Sequence, residues 1–146
     1  MSHDVRIVRL YDAPPEAVFR AWVDPVARTT WYAHHPDDIV EAETDLRVGG
    51  EWSVRFGRPG ARYGEHGVFL EIAAPHHVVY TMTFTYPDGR TFDTTTTVEF
   101  ADHDGKTELT LLDAGYPDEE TRRGNEQGWP GFLDKVAEVL AASSPM

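Results

Sequence analysis

The C-terminal part of the chain carries a single apolar stripe at helical spacing. Its members recur at i, i+3, i+4, i+7, i+8 and i+11, the period of one face of an amphipathic helix. The spacing predicts a helix from about 118 to 142 that rests on the core through this face. Pro130 predicts a kink or break there, since proline lacks an amide donor and crowds the preceding turn. The stripe consists of Trp129, Phe132, Leu133, Val136, Ala137 and Leu140.

Alternation of apolar and polar residues replaces the helical period over the middle of the chain. Turn signals such as Pro87-Asp88-Gly89 separate the alternating runs, so the connections are short and neighbouring strands pair antiparallel. The predicted strands span about 5–11, 39–47, 51–57, 64–73, 77–86, 91–101 and 106–114. Two short helices, opened near Asp12 and at Asp24-Pro25, follow the first strand. We therefore predict an α+β fold in which one long helix lies across an antiparallel meander.

The alternation also predicts which strand residues face the helix. Most inward positions are apolar, as at Trp52, Val54 and Phe56. On the fourth strand the alternation predicts that His66, Val68, Leu70 and Ile72 face inward. On later strands it predicts the same for Thr94, Thr96 and Asp113. His66 is the candidate acid or base of this interior, because imidazole exchanges a proton near neutral pH. The alternative is a structural histidine that a hydroxyl, a tyrosine or a buried water satisfies.

Composition narrows the classes of function. A chain of 146 residues without cysteine is expected to form one domain, residues 1–146, and to reside in a reducing cytoplasm. A formal charge of -12 argues against nucleic acid or an anionic membrane as a partner. No stretch approaches the roughly 20 apolar residues of a membrane helix, and no apolar run follows a basic start.

Two histidine pairs are the metal candidates of the sequence, and their spacing argues against them. His34-His35 and His76-His77 abut turns, and adjacent residues of an extended chain point to opposite sides. No His-Glu-x-x-His or Cys-x-x-Cys motif accompanies them, and no nucleophile elbow or triad signature is present. We expect neither a metal nor another cofactor.

Six segments spread over nearly the whole chain resemble those of a known superfamily. They are 12–22 (DAPPEAVFRAW), 31–32 (WY), 45–52 (DLRVGGEW), 67–72 (GVFLEI), 97–100 (TVEF) and 128–133 (GWPGFL). In this order they are similar to the START-like or SRPBCC superfamily, in particular to its bacterial branch resembling the C-terminal domain of the activator of the ninety-kilodalton heat-shock chaperone ATPase.

The resemblance implies the helix-grip fold, a curved seven-stranded antiparallel sheet around a long C-terminal helix with two short helices after the first strand. It implies no universal catalytic residues, since members of the superfamily range from lipid carriers to cyclases. It does not imply a chaperone role, because the activator's N-terminal domain has no room in this chain.

We expect a small apolar or aromatic molecule to bind between sheet and helix, where apolar surface supplies affinity and a few polar groups set orientation. Two alternatives stay open: a cofactor-free cyclase, dehydratase or hydrolase that uses His66 with Asp113 or a tyrosine, and a protein-interaction module on the outer threonine-rich face. A homodimer is also left open. The predicted ligand-binding wall is Trp31, Tyr32, Trp52, His66, Tyr80, Met82, Phe84, Thr94, Thr96, Trp129 and Phe132.

Three glycines, Gly124, Gly128 and Gly131, fall within the predicted long helix. One interpretation is a flexible gate over the cavity mouth. The alternative is that small residues let the helix start close to the sheet.

Overall fold

The computed structural model describes residues 3–33 and 35–143, so the predicted role of His34 in a histidine pair lies outside the described residues. The elements in chain order are β1 (Asp4–Tyr11), α1 (Pro15–Val23), α2 (Pro25–Trp31), β2 (Glu41–Thr44), β3 (Glu51–Arg58), β4 (Ala61–Ala73), β5 (His77–Thr85), β6 (Thr91–His103), β7 (Lys106–Ala114) and α3 (Glu119–Ser143). The strands form one antiparallel sheet in the order β1-β7-β6-β5-β4-β3-β2. The predicted helix-grip architecture is confirmed: a curved seven-stranded sheet with a long C-terminal helix.

The two short helices begin in different ways. Pro15 starts α1 after Pro14, and no side chain caps this end, so Asp12, near which we predicted the helix to open, does not cap it. Asp24 caps α2 through its carboxylate, which accepts a hydrogen bond from the Val26 amide at 2.9 Å. The two helices together seat their aromatic residues over the inner face of the sheet.

The long helix α3 is continuous through Pro130, so of the predicted kink or break the break is wrong. Pro130 and Glu126 both lie on the exposed side of α3, where water can satisfy the carbonyl that loses its amide partner. The apolar stripe packs inward as predicted at Leu133 and Val136, which are completely buried. Ala137 departs from the prediction and is exposed.

A shift of register in β4 changes the inner face of the sheet. The pairing of β4 with β5 is irregular between Phe69 and Glu71. Such a bulge reverses the alternation, so the odd-numbered Phe69 is buried before it and the even-numbered Ile72 packs on the core after it. The prediction assumed one uninterrupted alternation and is therefore correct for Ile72 and wrong for Leu70, which is 45% exposed.

The same shift places His66 on the outer face, which corrects our prediction of an interior histidine. His66 is exposed and pairs with Ser53 on one side and Thr83 on the other. Val68, two residues further along the strand, lies on the same outer face. Glu65 takes the inward position instead, between Val54 and Phe84. The polar residue offered to the interior by β4 is therefore a carboxyl group and not an imidazole.

Candidate functional site

A cavity of about 520 Å³ opens between the inner face of the sheet, the end of α2 and the N-terminal half of α3. Six of the sixteen lining residues are aromatic, and acidic, amide and hydroxyl side chains make up much of the rest. The Trp31 indole donates to the Ala21 carbonyl at 2.9 Å, which fixes one wall. Phe132 lies edge-on to Trp31 at a ring separation of 6.3 Å and 5.9 Å from the Trp129 ring. Six predicted wall residues line this cavity: Trp31, Tyr32, Met82, Phe84, Trp129 and Phe132.

The structure does not bring the other predicted wall residues to the cavity surface. Trp52 is buried in the core and donates to the Thr81 carbonyl at 3.1 Å. Tyr80 is buried too, and its hydroxyl accepts a hydrogen bond from the Trp22 indole at 3.1 Å. Thr94 and Thr96 face inward but are buried beneath the lining. His66 lies on the opposite face of the sheet.

Asp113 is the first of two carboxyl groups that the sheet turns inward at the cavity, and the prediction of its interior position is confirmed by its complete burial. It accepts hydrogen bonds from the Thr96 hydroxyl at 3.0 Å, from the Trp129 indole at 3.3 Å and from the Tyr116 hydroxyl. Burial raises the pKa of Asp113, and the hydrogen-bond donors act in the opposite direction. This group ties β6, β7 and α3 together, so its main role is to hold the cavity wall in place.

Glu65 is the second carboxyl group. Its Oε1 accepts a hydrogen bond of 2.6 Å from the Tyr32 hydroxyl, and the side chain forms part of the cavity lining. Desolvation raises the pKa of Glu65 to about 7, although the Tyr32 hydrogen bond and the charge of Arg28 lower it. The pKa of Tyr32 is raised in turn, first by burial and then by the nearby Glu65 charge. A carboxyl group in this state can exchange a proton or form an ion pair near neutral pH.

Sequence reasoning missed Glu65, and one signal was available. Gly67 lies inside β4, and glycine within a strand often marks a bulge or a close backbone approach. A Cβ atom at Gly67 would lie 1.8 Å from the Thr81 carbonyl oxygen. The close contact between β4 and β5 therefore accompanies the irregular register that turns Glu65 inward.

Arg28 was also missed. This arginine on α2 is 1% exposed, and its Nε donates to the Trp22 carbonyl at 2.9 Å. Its guanidinium carbon stands 4.8 Å from the centre of the Trp52 ring, a cation–π distance. Nη1 has no hydrogen-bond partner among the described residues. Arg28 lies behind the lining, where its charge acts on Glu65.

Two glycines of α3 line the cavity where larger side chains would fit. A Cβ atom built at Gly124 or Gly128 meets no atom within 4 Å. Close packing of helix against sheet therefore does not explain these two glycines, and that alternative is wrong for them. They leave open space at the cavity mouth, and the gate interpretation stays a prediction.

The histidines are engaged elsewhere. His77 lies between two carboxylates on the outer face, with Nδ1 2.6 Å from Glu99 and Nε2 3.0 Å from Glu71. The Nδ1 atom of His76 lies 3.2 Å from the Phe100 carbonyl oxygen. In the described part of the chain no three His, Cys, Asp or Glu side chains are grouped to hold a metal ion.

Comparison with known proteins agrees with this architecture. The family described as "Activator of Hsp90 ATPase homolog 1-like protein" matches residues 12–141. A protein from Chromobacterium violaceum is 28% identical with a TM-score of 0.83, covering 94% of this chain and 96% of its own. A protein from Rhizobium loti is 25% identical with a TM-score of 0.82, covering 95% and 97%.

A third structure, CalU16 from Micromonospora echinospora, shares the fold at 24% identity and a TM-score of 0.67, covering 94% of this chain and 75% of its own. No curated protein matches the chain. None of the helices within residues 3–33 and 35–143 has the length and apolarity needed to cross a membrane.

Proposed function

The chain belongs to the Activator of Hsp90 ATPase homolog 1-like family, within the START-like superfamily, and we propose that it binds a small apolar or aromatic molecule between the sheet and α3. The observation that carries this proposal is the open cavity of about 520 Å³, to which six aromatic side chains contribute. Ligand pockets typically measure about 300–1,000 Å³, and the volume of this cavity falls within that range. The tendency of this fold family to bind hydrophobic ligands supports the same proposal.

Affinity would come from apolar surface. Burial of apolar area contributes about 25 cal/mol per Å², and aromatic pairs add to this through their ring geometry. The partly exposed rings of Phe84, Trp129 and Phe132 are the surfaces that a ligand would cover. Glu65 would set the orientation of the ligand, because of the two carboxyl groups that the sheet turns inward it keeps accessible surface, whereas Asp113 is completely buried.

The alternatives from sequence have less support. The proposed enzyme depended on His66, and no histidine of the described residues lines the cavity. The proposed interaction module would use the threonines of the outer face, and two of these already have partners within the sheet. The Thr83 hydroxyl donates to Asp93 at 2.6 Å, and the Thr81 hydroxyl accepts from the Val68 amide at 2.9 Å. Neither observation favours an interaction surface over the cavity.

The test is binding of a neutral fluorescent probe, N-phenyl-1-naphthylamine. We expect saturable binding and a higher melting temperature, because a ligand that binds only the folded state stabilises it by mass action. Trp129→Ala removes a cavity wall and should weaken binding, while Thr83→Ala, on the outer face, should leave it unchanged. Circular dichroism verifies that both variants are folded. Absence of saturable binding, or equal loss in both variants, would refute the proposal.

A further inference from the structure

We propose that the ligand is an organic cation, an apolar or aromatic body that carries an amine, and that Glu65 receives its ammonium group. This inference rests on the function proposed above and names the class of ligand. It joins three independent observations: an unused carboxylate oxygen, the sign of the charges around the cavity, and the aromatic character of its walls.

The first observation concerns the two oxygens of Glu65. Oε1 accepts the hydrogen bond from Tyr32, whereas Oε2 has no hydrogen-bond partner among the described residues. Asp113 differs, since donors from Thr96, Tyr116 and Trp129 already surround its carboxylate. Of the two carboxyl groups that the sheet turns inward, Glu65 is therefore the one that remains ready to accept a hydrogen bond from a ligand.

The second observation is the excess of acidic groups in the lining. Four of the lining side chains are acids and one is basic. The basic residue, Arg90, pairs with Asp88 at 2.7 Å and stands 4.8 Å from the centre of the Tyr86 ring. A cleft lined by one sign of charge attracts ligands of the opposite sign and repels those of the same sign. The acidic lining residues are Glu65, Asp113, Asp118 and Glu120.

The third observation is the ring surface around Glu65. Tyr32, whose hydroxyl contacts Glu65, also lies 5.4 Å from the Phe132 ring. Faces of tryptophan, tyrosine and phenylalanine attract alkylammonium groups, and carboxylates near them add a direct ion pair. Arg28 shows the same preference within the protein itself, since its guanidinium lies over Trp52. A neutral hydrocarbon would contact the rings and leave Oε2 of Glu65 without a partner.

Three neighbouring groups set the proton affinity of Glu65. Tyr32 donates to it, Arg28 acts on it through its positive charge, and Asp113 acts through its negative charge. With a pKa raised to about 7, Glu65 is partly protonated at neutral pH. An ammonium favours the ionised carboxylate, so binding of the amine should release protons and strengthen as pH rises through 7.

The experiment compares three probes with one ring system: 2-naphthylmethylamine, 2-naphthylmethanol and 2-naphthoic acid. Isothermal titration calorimetry at pH 7.5 should rank the amine above the alcohol and the alcohol above the acid. Glu65→Gln keeps the size of the side chain and should weaken the amine by about tenfold, the usual effect of losing a charge-assisted hydrogen bond. The same variant should change the affinity for the alcohol by less than threefold.

Glu71→Gln is the matched control, because Glu71 lies on the same strand and on the outer face beside His77. It should leave all three affinities within twofold. If the alcohol binds and the amine binds no more tightly, or if Glu65→Gln leaves the preference for the amine unchanged, the organic-cation proposal fails and the cavity function survives. If none of the three probes binds to the folded protein, both fail together.

Discussion

Substitution of Gly128 by leucine should stabilise the protein and close its cavity at once. Gly128 lies inside α3 and lines the cavity, and a Cβ atom there meets nothing within 4 Å. Glycine inside a helix costs roughly 1 kcal/mol relative to alanine or leucine. For a chain of this length that gain corresponds to a rise in melting temperature of about 2–4 °C. The leucine side chain would meanwhile occupy the space that a ligand needs.

Two measurements on one protein preparation test this reasoning. Thermal unfolding followed by circular dichroism gives the stability, and titration with N-phenyl-1-naphthylamine gives the affinity. We expect Gly128→Leu to melt higher and to bind the probe at least about tenfold more weakly, because filling the site removes buried apolar contact. Gly128→Ala should gain the same stability and keep most of the binding, since its methyl group leaves the cavity open.

Gln127→Leu is the position control, because Gln127 neighbours Gly128 on α3 and is exposed outside the lining. Glutamine and leucine have similar helix propensities, so stability and binding should both stay near the wild-type values. A lower melting temperature for Gly128→Leu would show that the helix needs glycine for close packing. Undiminished probe binding in that variant would show that the ligand binds elsewhere.

The remaining predictions concern stability. Val136→Asp should lower the free energy of unfolding by several kcal/mol, because it buries an unpaired charge. Lys135→Ala should change the free energy of unfolding by no more than about 0.5 kcal/mol. Equal melting temperatures for the two variants would contradict the assigned helix face. Gly67→Ala should prevent stable folding, because the added Cβ would lie 1.8 Å from a carbonyl oxygen. Gly64→Ala is the control and should fold, since the nearest atom to its Cβ is 3.9 Å away. Equal yields of folded protein from the two variants would show that β4 and β5 can separate. The raised pKa of Glu65 means that the folded state holds its proton more tightly, so this residue should cost stability as pH rises from 4.5 to about 7, by up to about 3 kcal/mol. The difference in unfolding free energy between wild type and Glu65→Gln, measured from pH 4.5 to 8, isolates this effect, and a difference independent of pH would contradict it.

The periodicity of hydrophobic residues along the chain predicted most of the fold. Leu133 and Val136 recur at helical spacing and are buried on the helix face that this spacing predicts. Trp52 and Val54 are buried, and they alternate with the more exposed Glu51, Ser53 and Arg55. Both patterns are local consequences of where side chains leave a helix or a strand, so they can be read without tertiary contacts.

The candidate site was only partly predictable. Six of the proposed wall residues line the cavity, and four of them, Met82, Phe84, Trp129 and Phe132, follow those same local patterns. The prediction of the polar residue that β4 turns inward was wrong, since it named His66 and the structure has Glu65 there. One irregular step between Phe69 and Glu71 separates the two outcomes, and a single uninterrupted alternation cannot represent it.

By itself the sequence determined the antiparallel meander, the long helix and the face through which they meet, because hydrophobic periodicity depends on neighbours only a few residues away. Tertiary structure alone decided three further properties: which residues of β4 face inward, whether the aromatic rings fill the interior or leave a cavity, and which of the two inward-facing carboxyl groups keeps a free oxygen there. Each of these depends on contacts between distant segments, such as Gly67 against Thr81 and Tyr32 against Glu65. The physical reason is that burial and proton affinity are set by everything that surrounds a side chain, whereas periodicity is set by the chain that carries it.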